Sequence, residues 1–188
     1  MAILEILTFP NPVLRQKALP VVDFNTALEK IVSDMFDTMY DAPGVGLAAN
    51  QVGILQHVAV IDVDYDVEGE DEKSRKLAGK NPRIFVNAEI LERTGSVLFK
   101  EGCLSVPGFS EQVKRSEKIR VRFRDLQGKN HELETEGLLA VALQHELDHL
   151  EGRLFIDRLS EVKRGLIKNK LLKHRHESFE RSRFRVEL

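Results

Sequence analysis

Residues 144–150 read Gln-His-Glu-Leu-Asp-His-Leu and place the pattern His-Glu-x-x-His inside residues 137–150, a run typical of a helix. Residues four apart on an α-helix share one face, so His145 and His149 can present two imidazoles to one metal ion. Glu146 is rotated around the helix axis and can reach a metal-bound water more easily than the metal. Two metal ligands beside a general base are the arrangement of metal-assisted hydrolysis.

The residues that flank this motif are mostly Leu, Val and Ala. A helix with such flanks is buried on most sides, and burying its imidazoles and carboxylates without partners would cost several kcal/mol. The alternative interpretation is a structural pair of histidines whose hydrogen bonds are satisfied within the protein. A metal ion is the simpler partner, so the motif favours a metal site.

The composition indicates one ordinary globular domain. The chain has 188 residues, 42% hydrophobic and 31% charged, with a formal net charge of −2. We expect a single catalytic domain over residues 1–188, with a core at about 1–157 and a basic helix and tail at 158–188. The charge gives no overall nucleic-acid footprint, so DNA is not an expected partner.

The N-terminal segment has no signal-peptide pattern, and no apolar run is long enough to span a membrane. We therefore expect no membrane association and a cytoplasmic protein of bacterial type, or an organellar enzyme whose transit peptide has been removed. The single cysteine, Cys103, excludes an intramolecular disulfide.

Hydrophobic periodicity predicts a helix capped by Asn25 or Thr26 and ending near Tyr40. Strands are predicted at 58–63, 84–91 and 95–99, and an antiparallel hairpin pairs 119–124 with 131–135. Residues 64–80 are acidic and polar and predict a solvated loop. The arginines of 119–124 alternate with apolar residues, which favours a wet sheet face over a nucleic-acid patch.

A last helix is predicted from Ser160 towards His176. From residue 163 to residue 185 the chain is rich in Lys and Arg. The favoured interpretation is a solvated helix that packs Val162 and Leu166 on the body of the protein. The alternative is a docking element for an anionic partner such as RNA.

Two histidines do not complete a catalytic metal site, so a third protein ligand is expected. The candidates in the sequence are Cys103, Glu101, Asp148, Glu151, His131 and His57. Cys103 is the best stereochemical choice, because it lies in a loop constrained by Gly102 and Pro107. Cysteine binds a metal ion as its thiolate.

Three stretches together resemble the peptide deformylase family. They are Gly-Val-Gly-Leu-Ala-Ala-Asn-Gln at 44–51, Glu-Gly-Cys-Leu-Ser at 101–105, and the motif at 144–150. Their order and separation agree with the family, and the resemblance extends from about Leu7 to Phe155. Each stretch alone is moderately specific, whereas the three in series are very specific.

This resemblance implies an α+β fold with antiparallel β-sheets packed around a central His-Glu-x-x-His helix and with a C-terminal helix. It implies a metal-dependent hydrolase that removes the formyl group from the N-terminal formyl-methionine of newly synthesised polypeptides. The implied metal ligands are Cys103, His145 and His149. The implied cofactor is one Fe²⁺ per chain, for which Zn²⁺, Ni²⁺ or Co²⁺ could substitute, although the ligand types alone would suggest zinc.

In the mechanism that the resemblance implies, hydroxide formed from metal-bound water attacks the formyl carbonyl. Glu146 takes the proton as general base and returns it to the leaving amine as general acid. The backbone N–H of Leu104 and the side-chain amide of Gln51 would stabilise the oxyanion. Gly46 would accept the substrate N–H with its backbone carbonyl.

A methionine pocket should be apolar and adaptable. Leu138, Val141 and Ala142 precede His145 on the same helix face, and Val45 and Phe99 flank the other two motifs. We expect these five residues to form the pocket wall, with plain core packing as the alternative for each. The expected substrates are N-formylmethionyl peptides of nascent chains, with ribosome contact through the basic C-terminal helix as a further expectation.

The sequence departs from the family pattern at few positions. Ala88 follows Asn87, where proline is common, and Phe109 and Ser110 stand where some members carry an arginine that orients the peptide. Arg115 could instead pair with Glu101 and support the site. Residues 64–80 look long for the family and suggest an insertion.

Two other functions are compatible with parts of this sequence. A zinc endopeptidase shares His-Glu-x-x-His but takes its third ligand after the motif, where only Glu151 and Asp157 are near and neither has the usual spacing. A non-catalytic protein that docks on RNA or the ribosome would use the basic tail. The presence of Glu146 and of three ligand types argues against it.

Overall fold

The structure is a computed structural model. It describes the backbone of residues 2–68, 76–78 and 80–184 and the side chains of residues 2–65 and 80–173. The helices are α1 (Thr26–Asp41), α2 (Gly137–Leu150) and α3 (Glu161–Phe184). The strands are β1 (Gly46–Ala48), β2 (Val58–Ile61), β3 (Asp66–Glu68), β4 (Lys76–Ala78), β5 (Arg83–Thr94), β6 (Val97–Gly102), β7 (Ser110–Arg115), β8 (Lys118–Arg124) and β9 (Asn130–Glu136). Short 3₁₀ helices lie at Pro12–Arg15, Ala49–Val52 and Phe155–Arg158.

The main sheet is antiparallel and has the strand order β1-β2-β5-β8-β9. Its β8–β9 hairpin confirms the pairing predicted from alternation. Ile119 and Val121 are buried, while Arg120 and Arg122 pair with acidic residues, as in the 2.9 Å ion pair between Arg122 and Glu132. The wet sheet face predicted for these arginines is therefore confirmed.

The predicted motif helix is confirmed as α2, and it packs on the inner face of this sheet. Every residue from Leu139 to Leu150 is buried. Leu139, Leu143 and Leu150 join the core built by the sheet residues, with Phe85 among them. The chain turns away at Gly152, which has a φ of +73°. Antiparallel sheets around this central helix confirm the α+β class.

Helix α1 lies against the other side of β1 and β2. Asn25 is the N-cap, and its Oδ1 accepts hydrogen bonds from the N–H groups of Ala27 (3.0 Å) and Leu28 (3.2 Å). The predicted apolar stripe is buried in the core at Leu28, Val32, Met35 and Met39. The helix prediction is confirmed to within one residue of its end.

The two small sheets, β3–β4 and β6–β7, were not fully predicted from the sequence. Strand β7 was missed, and it pairs with β6 so that the loop carrying Cys103 is closed between them. The acidic stretch was predicted as loop, but β3 pairs with β4 and Glu68 opposes Lys76. Residues 69–75 and 79, which belong to the same predicted loop, lie outside the described residues.

Helix α3 packs through a different face from the one predicted. Val162 and Leu166 are 74% and 59% exposed, whereas Ile167 and Leu171 are buried against Leu14 and Phe155. Both pairs have the i, i+4 spacing of a helix face, so spacing alone could not choose between them. The helix extends past His176 to Phe184, and residues 185–188 of the predicted tail lie outside the described part. Among the described residues, no helix has both the length and the apolar character that a membrane crossing requires.

Candidate metal centre

Three donor atoms meet where α2 passes the loop between β6 and β7. The Nε2 atoms of His145 and His149 are 3.2 Å apart, and Cys103 Sγ lies 3.1 Å from His149 Nε2. The three ligand atoms all lie within 4.8 Å of one another. A thiolate and two imidazoles are a donor set for a divalent transition metal. The residues named from the sequence therefore fit a metal ion.

A buried ion-pair network surrounds the first histidine. His145 Nδ1 lies 2.8 Å from Glu101 Oε2, and Glu101 accepts two hydrogen bonds from Arg115, at 2.6 and 2.8 Å. Arg115 also donates to Asp148 at 2.5 Å, and Arg158 donates to the same carboxylate at 2.5 and 2.6 Å. A carboxylate on the second ring nitrogen orients a metal-binding histidine and leaves its Nε2 free for the metal.

Burial would raise the pKa values of both carboxyl groups in this network. Hydrogen bonds outweigh burial in each case, so the pKa of Glu101 is lowered by Arg115 and His145, and the pKa of Asp148 by Arg158 and Arg115. Both groups are therefore carboxylates near neutral pH. The pairing of Arg115 with Glu101, raised from the sequence, is confirmed. The bonds that Arg115 and Arg158 each donate to Asp148 were not predicted.

The two histidines have opposite protonation preferences. Burial lowers the pKa of His145, but bonding to Cys103 and Glu101 outweighs burial and holds that pKa well above its usual range. Burial and the neighbouring charge of His145 hold the pKa of His149 well below its usual range. Only a neutral imidazole binds a metal ion, so metal binding at this cluster would release the proton that His145 favours.

Glu146 points into the cavity beside this cluster. Burial raises the pKa of its carboxyl group to about 7. Within the described residues, its Oε2 atom is buried and has no hydrogen-bond partner. An unpaired buried carboxylate oxygen is costly in a native protein, so it marks a group that a substrate or water would engage.

Gln51 and Asn50 connect the first motif to the other two. The Gln51 side chain accepts a hydrogen bond from Ala48 N (2.8 Å) and donates from Nε2 to Ser105 Oγ (3.1 Å). The same Nε2 lies 3.7 Å from Cys103 Sγ, which places the amide at the metal centre. Asn50 Nδ2 donates to the backbone carbonyl of His149.

A cavity of about 610 Å³ opens onto the cluster. All five residues expected in the pocket wall line it, namely Val45, Phe99, Leu138, Val141 and Ala142. Gly46, Gln51, Cys103, Leu104, His145 and Glu146 line it too. The cavity therefore brings together the residues that the three motifs contribute, and the functional role of each remains a prediction.

Sequence reasoning missed further lining residues, among them Pro43, Gly102 and Phe109. It also missed Ser105 and Asn50, which hold the motifs to one another. Gly102 and Ser105 belong to the quoted 101–105 stretch, so their presence near the site had a sequence signal. Phe109 also had a signal, because it stands where some members of the family carry an arginine that orients the peptide, but it was not predicted to line the cavity.

The other third-ligand candidates lie elsewhere. Glu101 and Asp148 belong to the arginine network described above. Glu151 pairs with Lys17 at 2.9 Å and His131 lies 2.7 Å from Asp125. His57 also lies outside the cluster. Asp157, one of the two residues near enough to be the third ligand of a peptidase, lies outside it too and pairs with Arg15. These placements leave Cys103 as the third donor and remove the third ligand that a zinc endopeptidase would need.

Known proteins resemble this chain along most of its length. The family model of polypeptide deformylase matches residues 3–165. A peptide deformylase of Alkalilimnicola ehrlichii is 49% identical over 173 residues, which cover 92% of this chain and 91% of the relative.

Solved structures agree with this match. A peptide deformylase from Legionella pneumophila superposes with a TM-score of 0.81 at 44% identity, covering 94% of this chain and 98% of the other. A peptide deformylase from Ehrlichia chaffeensis, crystallised in complex with actinonin, gives a TM-score of 0.82 at 35% identity, with 93% and 98% covered.

Proposed function

The chain belongs to the polypeptide deformylase family and is a hydrolase that removes the N-terminal formyl group from nascent polypeptides, and on this premise we propose how its own residues carry out the reaction. Cys103, His145 and His149 hold one metal ion per chain, and that ion is Fe²⁺. The convergence of the three donor atoms supports the site. The resemblance to the family supports iron, while Zn²⁺, Ni²⁺ or Co²⁺ could occupy the same donors. When bound, the metal supplies Lewis acidity, which polarises a carbonyl and makes water more acidic.

Glu146 is the general base and then the general acid. Its carboxylate accepts a proton from the attacking water and delivers it to the amine that leaves when the C–N bond of the formyl group breaks. A pKa of about 7 suits a group that must take up and return a proton near neutral pH. The unpartnered Oε2 in the cavity supports this role.

The oxyanion that develops on the formyl oxygen is stabilised by Gln51 and Leu104. Gln51 is 2% exposed, and its amide is held in place by Ala48 and Ser105. Such preorganisation favours the transition state, because the donor does not have to reorient during the reaction. Removing the Gln51 amide should lower kcat by a factor of roughly 10² to 10³. The Leu104 N–H is the second donor, and the Gly46 carbonyl receives the substrate N–H.

The cavity receives the methionine side chain. Val45, Phe99, Leu138, Val141 and Ala142 supply an apolar wall, which suits an unbranched thioether. Val45 and Leu138 are partly exposed, at 40% and 39%, so they lie at the mouth of the cavity. A substrate side chain would cover both of them.

The observation that carries these assignments is the convergence of three donor atoms beside an unpaired buried carboxylate. The test is anaerobic hydrolysis of formyl-Met-Ala-Ser by wild type and by Glu146→Ala, with metal content measured on both. We expect formate release by wild type and its loss in a variant that still holds one metal. If the iron-loaded wild type releases no formate, the assignment is wrong. Activity that survives in Glu146→Ala would remove Glu146 from the mechanism.

We further propose that the protein acts in the cytoplasm, where nascent chains leave the ribosome. Residues 1–157 would form the catalytic core of the single domain, and residues 158–188 would contact the ribosome through basic side chains. Exposure of Lys170 on α3 supports an outward-facing basic surface.

The ribosome contact can be tested without truncation, which would remove the buried residues Ile167 and Leu171 and expose the core residues against which they pack, Leu14 and Phe155 among them. In the triple variant Lys170→Glu, Arg181→Glu and Arg183→Glu, activity on a short formyl peptide should persist while co-sedimentation with ribosomes falls. Unchanged co-sedimentation would refute this role of the helix.

A further inference from the structure

One edge of the cavity is formed by residues 43–46, which we call the lip. Pro43, Gly44, Val45 and Gly46 all line the cavity. The lip contacts the rest of the site closely, because a Cβ atom on Gly44 would stand 2.8 Å from Leu104 Cδ1. The lip therefore packs against the side chain of Leu104.

The lip is held from behind by a residue outside all three motifs. Tyr65 donates a hydrogen bond from its hydroxyl group to the backbone carbonyl of Gly44 at 2.8 Å. Two further backbone bonds hold the lip, from Gly44 N to Met39 O (2.9 Å) and from Asp62 N to Val45 O (3.0 Å). Of these three hydrogen bonds, the one from Tyr65 is the bond made by a side chain, so a substitution can remove it.

Tyr65 is itself firmly seated. Its ring meets the ring of Tyr40 edge-on, with centroids 5.0 Å apart at 86°. Tyr40 donates to Asp62 at 2.7 Å, and Asp62, which is fully buried, also accepts a hydrogen bond from Asn81 N at 2.9 Å. Residues 62–65 and 81 are the two ends of the segment that contains β3 and β4. The base of this segment is thus clamped between α1 and the lip.

We propose that Tyr65 is a positioning residue for substrate, which acts by holding the lip at the distance that the peptide requires. The inference rests on the proposed use of Val45 and Gly46 by the substrate. Tyr65 does not line the cavity, so its effect must pass through Gly44. Neither the metal ligands nor Glu146 contact Tyr65, so the chemical step should be largely unaffected.

The substitution Tyr65→Phe removes the hydroxyl group and keeps the ring against Tyr40. In the metal-loaded enzyme we expect KM for formyl-Met-Ala-Ser to rise about three- to tenfold, the value of one net hydrogen bond, while kcat changes less than about twofold. A loss of stability alone would lower the active fraction and hence the apparent kcat, and would leave KM unchanged. A KM effect with kcat preserved therefore separates positioning from a merely structural role.

A second measurement is independent of activity. Amide hydrogen exchange at Val45 and Gly46 should accelerate in Tyr65→Phe, whereas exchange at Val121 in β8 should not change. If wild type fails to release formate, the proposed function fails, and the exchange rates still decide whether Tyr65 holds the lip.

The matched control is Tyr40→Phe, which removes the adjacent hydroxyl group from Asp62 and leaves the bond to Gly44 intact. Its ring stays against Tyr65 and Asn81 N still bonds to Asp62, so KM and the exchange of the lip should change less than in Tyr65→Phe. Wild-type KM in Tyr65→Phe, unchanged lip exchange, or an equal KM rise in Tyr40→Phe would each overturn the inference.

Discussion

The carboxylate of Glu146 occupies the space that a side chain at Gly46 would need. A Cβ atom built on Gly46 would stand 2.4 Å from Glu146 Oε1 and 2.9 Å from its Cδ. Such distances are far below van der Waals contact, so one of the two groups would have to move. The glycine of the first motif is thus required by the Glu146 carboxylate of the third, in addition to the proposed contact of its carbonyl with substrate.

Gly46→Ala should therefore displace Glu146 and lower kcat about 100-fold, since misplacing a catalytic group by about 1 Å has an effect of this size. Steady-state kinetics on formyl-Met-Ala-Ser, with metal content measured in parallel, provide the test. Gly165→Ala is the matched control, because a Cβ atom there meets nothing within 4 Å. A wild-type kcat in Gly46→Ala would show that displacing the Glu146 carboxylate does not affect catalysis.

Removing Arg115 should destabilise the protein strongly. The side chain is fully buried, and Arg115→Met leaves the carboxylates of Glu101 and Asp148 without this partner. Breaking a buried ion pair from one side costs about 3 to 5 kcal/mol of unfolding free energy. Denaturant unfolding measures this change.

Arg120→Met is the comparison for Arg115, since Arg120 is 38% exposed and pairs with Glu132 at 3.3 Å on the wet sheet face. It should cost at most about 1 kcal/mol. Equal losses in the two variants would contradict the special role of the buried network.

The packing face of α3 can be tested with two adjacent residues. Ile167 is 6% exposed and Leu166 is 59% exposed. Ile167→Ala should lower the unfolding free energy by about 2 to 4 kcal/mol. Leu166→Ala should change it by less than about 0.5 kcal/mol, because its side chain is mostly in water. A larger loss of unfolding free energy in Leu166→Ala than in Ile167→Ala would show that the helix packs through the face predicted from the sequence.

Asp157 should make stability depend on pH. Burial would raise its pKa, but hydrogen bonds from Arg15 and from Leu154 N lower it below the unfolded value of 3.8. The folded state therefore binds this proton less readily than the unfolded chain, so the stabilisation is present above about pH 4 and is lost as pH falls through the lowered pKa. Asp157→Asn should lower the unfolding free energy at pH 7 by about 1 kcal/mol.

Thermal unfolding of wild type and Asp157→Asn between pH 2 and pH 7 measures the difference. The gap in Tm should be constant above about pH 5 and should narrow below about pH 4. A gap that stays constant down to pH 2 would show that ionisation of Asp157 contributes nothing to stability.

Several features could be read from local pattern because local physics decides them. Helix α2 and the β8–β9 hairpin follow from periodicities of 3.6 and 2, and the i, i+4 spacing of His145 and His149 follows from helix geometry. Asn25 caps α1 because its side chain accepts bonds from N–H groups that any helix start leaves free. In contrast, β3, β4 and β7 lack a strong alternating pattern, and pairing with a partner strand defines them.

The sequence by itself determined the α+β class, the family and the histidine pair of the metal site, because each depends on residue types within short motifs. It favoured Cys103 among several candidates for the third donor, and the structure places the Cys103 Sγ beside His149. Only the tertiary structure decided which face of α3 is buried, that Asp148 and Arg158 complete the network of Arg115, and that Tyr65 reaches the carbonyl of Gly44. These relationships join residues from separate elements. Their energies depend on burial and on distances of about 3 Å, which hydrogen bonds require and which no local pattern specifies.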